Sequence, residues 1–387
     1  MANRKRQPGN RPKFGMIATM ATIARLGFVL YNPTKIKSKK TFLKIKKMAF
    51  TQGLCQKLQT DLNSVAGMNA PALKRDRVGY LDALMSEENR MGFEAIPIPT
   101  NGKYRAVQVN YIQRGNAESV NLTCSASCDT DQEISPLETI VNITECIETK
   151  GMLFSEDQMR KLCEADSVYV SNVIMSQMNA INTALNQQLL AEQSSNFGNF
   201  SDGTTQKDIQ LFEATSNAPR AIAAAQIRHE YDLTGASGAP MIIGGGNFDL
   251  YAKTQQIACC NSSTGMDLSR WTDYRYYNDR FVDTVIGANE FVVLAPGAVQ
   301  LLTWNKYVGD YAKRNDVFEH GTITDPFTGL TYDLKVHYDD CADSWSIKLQ
   351  LNWGLFFIPA NAFGTGDLNE GVNYTFHFAD CSTIVGC

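Results

Sequence analysis

The chain has 387 residues, 44% hydrophobic and 20% charged, enough apolar mass for two or three lobes with real cores, which excludes a disordered or fibrous chain. Ten cysteines at uneven spacing exclude a small disulfide-stapled module and fit no pair of zinc knuckles; Cys124 and Cys128 have no histidine near them, Cys259 and Cys260 are adjacent, and buried reduced thiols are the plainer reading. The net charge of −4 hides a split: residues 1–48 hold thirteen Lys or Arg and no acid, which leaves 23 basic against 40 acidic side chains, a net of −17, for the remainder. An acidic body does not seek nucleic acid over its whole surface.

The basic head reads in three ways: a disordered arm, a signal or anchor, or an extension that is not part of the mature protein. Residues 14–31 are mostly apolar, but Arg25 in their middle argues against a signal h-region and against a membrane span. Lys35 to Lys47 is basic again, and Met48-Ala49-Phe50 then opens a helical pattern. The leading reading places the true start at Met48.

Residues 50–92 read as helical, with Leu54, Leu58, Leu62 and Val65 at helical spacing. Ile96-Pro97-Ile98-Pro99 breaks that helix, since proline lacks a donor and restricts its predecessor. Between Lys103 and Arg114, Val107, Val109 and Tyr111 alternate with Gln108 and Asn110. Between Ile140 and Ile147, Val141 and Ile143 share a face. These are two strands joined by a long polar excursion, either a plain surface hairpin or an arm that packs on a neighbouring subunit. Ser155-Glu156-Asp157-Gln158 is a capping box. It opens a helix over 155–193 whose apolar residues, from Met159 to Leu189, step by three and four. That helix would be about 55 Å long, a spine across the subunit.

Residues 218–230 read as an Ala-rich helix, Pro240 to Ile243 as a short buried strand, Gly244 to Asn247 as a turn, and Phe248 to Ala258 as a helix. Glu290 to Ala295 is a strand and Pro296-Gly297 a turn. Ala298 to Trp304 then starts a helix with Pro296 near its N-terminus. The strongest pattern lies at 325–358. Tyr332, Leu334, Val336 and Tyr338 alternate with Asp333, Lys335 and His337; Trp345, Ile347, Leu349, Leu351 and Trp353 alternate with Ser346, Lys348, Gln350 and Asn352. Period two makes this an antiparallel hairpin with one apolar face and the acidic segment Asp339 to Asp343 as its turn. Residues 361–387 form a looser β-like tail.

Chemistry is sparse. Gly244-Gly245-Gly246 between a strand and a helix is the one phosphate-like signal, but it is neither G-x-G-x-x-G nor a P-loop, and a tight turn explains it. The four histidines form no metal motif, and Gly235-Ala236-Ser237-Gly238 is off-register for a nucleophile elbow. Asp339, Asp340 and Asp343 are too few for a calcium loop. No catalytic residue, metal site or cofactor is expected.

Three stretches carry a resemblance: Ala239 to Asp249, Ala288 to Ala298, and Asp325-Pro326-Phe327-Thr328-Gly329-Leu330-Thr331-Tyr332-Asp333. Together with the order of arm, hairpin, long helix, mixed lobe and closing hairpin, they resemble the major capsid proteins of tailed bacteriophages. The resemblance implies an α+β subunit of the Johnson fold. Residues 1–47 are then a basic extension, 48–100 an N-terminal arm and 101–150 the extended hairpin loop. The peripheral domain takes 151–240 and 316–360, the axial domain 241–315, and the C-terminal tail 361–387. It implies self-assembly into hexamers and pentamers of an icosahedral head around double-stranded DNA, built in the host cytoplasm, with other virion proteins such as portal or scaffold as partners and no membrane. DNA contact would be weak and non-specific. Val107, Val109, Tyr111, Val141 and Ile143 would lie at a subunit interface. An encapsulin-like shell and, from another class, a nucleotide-binding enzyme using Gly244 to Gly246 stay open. Intact mass spectrometry of the purified protein is expected to return a chain that begins at Met48; a mass containing residues 1–47 would refute that start.

Overall fold

A computed structural model describes residues 54–65, 75–89, 94–98, 106–111, 137–159, 168–196, 209–212, 220–233, 239–261, 274–288, 290–308, 313–314, 318–339, 343–357 and 374–377. All of them belong to one unit, Lys46–Cys387.

The helical spacing over 50–92 is used by two helices rather than one, α1 (Leu54–Val65) and α2 (Gly79–Met85), with a 3-10 turn at Glu87–Asn89. Pro71 falls between them in the sequence, where a continuous helix would lack a donor. The proline-rich stretch that was expected only to end a helix is itself a strand, β1 (Glu94–Ile98), paired with β2 (Ala106–Tyr111). β1 is an edge strand, the place where a sheet tolerates Pro97. The second expected strand divides in two. β3 (Leu137–Asn142) completes a three-stranded sheet with β1 and β2, while β4 (Glu145–Glu148) and β5 (Met152–Ser155) join a larger one.

The capping box forms: the Ser155 N–H donates to Gln158 Oε1 at 2.9 Å and the Gln158 N–H to Ser155 Oγ at 3.3 Å. It heads the helical residues 156–159; residues 160–167 of the expected helix lie outside the described residues, and α3 is described over Val168–Asn196. Its 29 residues span about 43 Å. Next come α4 (Ala221–Leu233), β6 (Met241–Gly244), α5 (Gly246–Asn261), β7 (Arg275–Asn278), α6 (Val282–Val285) and β8 (Glu290–Leu294).

The helix expected from Ala298 is a strand, β9 (Val299–Trp304). Pro296-Gly297 does not cap a helix: Gly297 sits at φ 81° and the Ala298 N–H donates to the Ala295 carbonyl at 3.1 Å, a reversal that sends the chain out extended. There it pairs residue by residue with Asn352 to Phe357, and long-range pairing overrides local helix signals. The remaining strands are β10 (Lys313–Arg314), β11 (Phe318–Thr324), β12 (Thr331–Asp339), β13 (Ser344–Phe357) and β14 (Tyr374–His377).

β13 organises the largest sheet, of seven strands. Along one edge it pairs first with β12 and then with β9; along the other, with β5 and then β4. β14 joins the four-stranded sheet β14-β8-β6-β7, in which β6 and β7 are parallel. Sheet pairing therefore crosses the boundaries implied by the resemblance. Residues 299–304, counted with the axial segment, belong to the sheet of the closing hairpin, and residues 374–377, counted as tail, belong to the sheet of 241–294.

Tyr332, Leu334, Val336, Trp345, Ile347, Leu349, Leu351 and Trp353 are all buried in the main core with α3 residues such as Met178 and Leu185. The opposite face of the hairpin is not simply solvated: Asp333, Ser346, Gln350 and Asn352 are buried too. Where β9 ends and β12 begins on the same edge of β13, the backbone donors of Lys306 and Tyr307 leave the ladder. Asp333 receives them, from Lys306 N at 3.0 Å and Tyr307 N at 3.2 Å. Asn352 fills the seam by donating to the Trp304 carbonyl at 3.1 Å. On the other edge, Thr149 bridges β4 and β5: its N–H donates to the Leu349 carbonyl, and its hydroxyl accepts from the Leu349 N–H at 3.0 Å. Replacing Asp333 by Ala orphans two backbone donors, so Asp333→Ala is expected to lower the unfolding free energy by about 2–5 kcal/mol in urea. A loss under about 0.5 kcal/mol would show that water serves those donors equally well.

Candidate functional site

The long helix α3 carries two kinds of buried residue. Of the apolar stripe read from the sequence, Met178, Ile181, Leu185 and Leu189 are buried, Val173 is partly buried and Tyr169 is exposed, while Val170 and Ile174, outside that reading, are buried as well. Asn182, Asn186 and Gln193 are also fully buried. Asn182 and Asn186 are one turn apart and share a face. Each asparagine holds a carboxylate on a different sheet.

Asn182 Nδ2 donates to Asp325 Oδ2 at 2.7 Å, and its Oδ1 accepts from the Tyr332 hydroxyl at 2.5 Å. Asp325 closes the turn between β11 and β12: it accepts from Phe327 N at 2.9 Å and from the Thr328 hydroxyl at 2.8 Å. Gly329 completes that turn at φ 73°, where only glycine is unstrained. Gln59 of α1 pins the same corner, exchanging two hydrogen bonds with the backbone of Thr324.

Asn186 Nδ2 donates to Asp279 Oδ2 at 2.7 Å while its Oδ1 accepts from Leu81 N at 2.9 Å. Asp279 follows β7 and also accepts from Tyr80 N at 2.9 Å and Phe281 N at 2.8 Å. The first-turn donors of α2, which no helical carbonyl can serve, thus find acceptors in Asp279 and Asn186. The Tyr80 hydroxyl donates to Gln193, two turns further along α3. Helix and strand end approach so closely that a Cβ on Gly79 would stand 2.7 Å from the Asn278 carbonyl. Burial pushes the Asp279 carboxyl above its usual range, against the three N–H donors that favour the anion; nearby Asp82 adds to the rise.

The Gly244 to Gly246 signal resolves into internal chemistry. The Gly246 N–H at the start of α5 donates to Asp283 Oδ2 at 2.8 Å, and a Cβ on Gly245 would lie 1.8 Å from Asp283 Oδ1. The helix N-terminus, where a phosphate would sit, faces the chain's own carboxylate, which repels an incoming anion.

Among the described residues no three His, Cys, Asp or Glu side chains come together as metal ligands. Cys124, Cys128 and Asp340 lie outside them. Asp343, at φ 45°, accepts from the Tyr338 hydroxyl and shapes the hairpin turn. No helix among the described residues is long and apolar enough to cross a membrane.

Val107, Val109 and Ile143 are covered by the chain itself: they form a small cluster with Leu302 and Phe356, flanked by Val141 and Trp304. Of the Tyr111 side chain nothing is described. The apolar residues left exposed are others, among them Ile140 at 60%, Leu153 at 64%, Tyr169 at 55% and Phe327 at 43%. The two asparagine joints went unread in the sequence. Their signal was there, two asparagines four apart on an apolar helical stripe, but nothing local names the carboxylates they meet.

No protein-family model matches this chain, and no curated protein does. Several solved structures are similar to it. The capsid asymmetric unit of cyanophage A-1(L) matches with 13% identity over 81% of this chain and 95% of that chain, at a TM-score of 0.46. The capsid of Ralstonia phage GP4 matches with 10% identity over 81% and 94%, at 0.41. A virus-like particle from Pyrococcus furiosus matches with 11% identity over 83% and 98%, at 0.40.

Replacing Asn186 by Leu strands the Leu81 N–H and leaves Asp279 with two donors, so Asn186→Leu is expected to lose about 3–5 kcal/mol by denaturant unfolding. The pH dependence follows from the sign of the Asp279 shift. A carboxyl raised in the folded state binds its proton more tightly there than in the unfolded chain. Its contribution to stability is therefore greatest in acid and falls as pH rises from the ordinary aspartate range through the folded value. Asp279→Asn is expected to flatten that falling segment of the stability–pH profile; an unchanged profile would show that Asp279 titrates normally.

Proposed function

We propose that the chain is a major capsid protein whose copies assemble into hexamers and pentamers of an icosahedral phage head around double-stranded DNA. The observation that carries the reading is α3. One long helix follows the extended hairpin and is tied by Asn182 and Asn186 to the turn of the closing hairpin on one side and to the β6–β8 lobe on the other. That is the order which the coat-protein words of the sequence imply. It makes a subunit whose two lobes are held in one geometry, as a closed shell of repeated contacts requires.

The buried hydrophobic face of the closing hairpin serves the core in this reading, and contact between subunits falls to exposed positions. Ile140, Leu153, Tyr169 and Phe327 are the apolar candidates for burial against a neighbour. The chain acts by assembly rather than by chemistry on a substrate. Portal or scaffold proteins are further partners, and assembly takes place in the host cytoplasm.

Negative-stain electron microscopy of the purified chain tests the reading. Closed particles with five-fold and six-fold units, protecting DNA from nuclease when taken from an infected host, are expected. Closed shells that never hold DNA would favour an encapsulin-like compartment. A small monodisperse oligomer that binds nucleotide would overturn both.

A further inference from the structure

The register of the largest sheet brings together basic residues that are far apart in the sequence. Lys313 of β10 is opposite His320 of β11, His320 is opposite Lys335 of β12, and Lys335 is opposite Lys348 of β13. Residues paired across antiparallel strands lie on the same face. His320, Lys335 and Lys348 therefore form one row across three strands, on the side away from Leu334, Val336, Ile347 and Leu349. With strands about 4.8 Å apart the row is about 10 Å long.

Other basic groups border the row. Lys150 is exposed beside Gly151, whose Cβ position is 3.5 Å from Lys348 Cε. Lys306 is exposed and lies over the Tyr307 ring, 5.6 Å from its centroid, and Tyr307 in turn is 4.7 Å from His320. His337, exposed, stands two residues along β12. Phe318, 4.9 Å from His320, supplies a second aromatic ring. Among the described residues the acidic groups on this side are few. Glu148 pairs with Lys335 at 3.2 Å, Asp333 is buried on the Lys306 and Tyr307 backbone, and Asp339 lies at the turn end.

Lys335 and Lys348 face each other directly, an arrangement that destabilises a sheet when nothing lies between them. In a body with a net charge of −17 this concentration is the opposite of what composition implies. We propose that this row is a binding site for the phosphate backbone of a nucleic acid. At one phosphate per about 3.4 Å of duplex axis along a strand, about 10 Å of row faces about three phosphates. The reading of the chain as a shell subunit is where this inference rests for its ligand; the site itself stands on the register. No base-reading group lies in the row, so binding is independent of sequence.

The test uses the full chain, the Lys335→Gln/Lys348→Gln double variant and a Lys335→Arg/Lys348→Arg variant that keeps the charge. Affinity for labelled single-stranded and double-stranded 30-mers is read by fluorescence anisotropy between about 50 and 200 mM KCl. All variants share one N-terminus, so any contribution of the basic head cancels in the comparison. The Gln pair is expected to bind roughly tenfold more weakly and to flatten the log–log salt slope by about two, with the Arg pair close to wild type. Lys253→Gln, on an exposed face of α5, is the control and is expected to change neither. Equal affinity of the Gln pair and wild type, or a loss no larger than that of Lys253→Gln, overturns the proposal. So does tighter binding of the row to poly-glutamate than to DNA, which would make it a contact for an acidic protein surface. Thermal melting of each variant guards against misfolding; the Gln pair is expected to melt close to wild type, because the relief of a like-charge pair offsets the loss of the Lys335–Glu148 ion pair. Electron microscopy of the same samples separates the two readings: shells without a Gln-pair effect sink only this inference, and a Gln-pair effect without shells sinks only the capsid reading.

Discussion

Two side-chain amides on one turn of α3 hold the described body together. Asn182 reaches Asp325 and Asn186 reaches Asp279, and those carboxylates belong to different sheets. A buried carboxylate is tolerated only when hydrogen-bond donors surround it. Asp325 has the Phe327 N–H, the Thr328 hydroxyl and Asn182; Asp279 has Tyr80 N, Phe281 N and Asn186. Each site is satisfied only when helix, turn and strand end are in register together. Apolar packing along α3 could slide by a fraction of a turn at small penalty. The amide–carboxylate pairs could not, because the shift would leave charged groups unpaired in the core.

β13 solves a related problem in two dimensions. One strand of fourteen residues serves four partners, two along each edge. Every change of partner interrupts the ladder and frees backbone groups. Side chains close each gap: Asp333 and Asn352 at the seam between β9 and β12, the Thr149 hydroxyl between β4 and β5. This explains why the polar face of the hairpin is buried at one end and open at the other. At the seam its Asp, Gln and Asn are structural; beyond it, His337 is exposed, and Lys335, paired with Glu148, and Lys348 are half-buried.

The hairpin at 325–358, the short strands around Met241 and Glu290, the helices around α4 and α5, and the capping box at Ser155 were all legible in the sequence, because each depends on neighbours within a few residues: period two, a turn residue, a reciprocal cap. Two readings failed for the same physical reason in opposite guises. The residues after Pro296 carry a helix-start signal yet form β9, because β13 offers a free edge more than forty residues later in the chain. The stretch Ile96 to Pro99 signals a break, yet Pro97 lies in β1, because an edge strand does not need every donor. Val107, Val109 and Ile143 alternate as an amphipathic arm would, and within the subunit they cluster with Leu302 and Phe356.

Alternation, caps and turn chemistry determined by themselves most of the strands and helices, β1 and β9 excepted, which hairpin face is apolar, and that the body as a whole is acidic. Those properties are sums over local residues, and no fold is needed to compute them. Tertiary structure alone decided which strands share a sheet, that Asn182 and Asn186 would meet carboxylates 143 and 93 residues away, and that lysines scattered along an acidic chain would stand in one row. Such pairings depend on register between distant segments. A shift of one residue would turn every one of those side chains to the other face, and nothing local records which register the whole core selects.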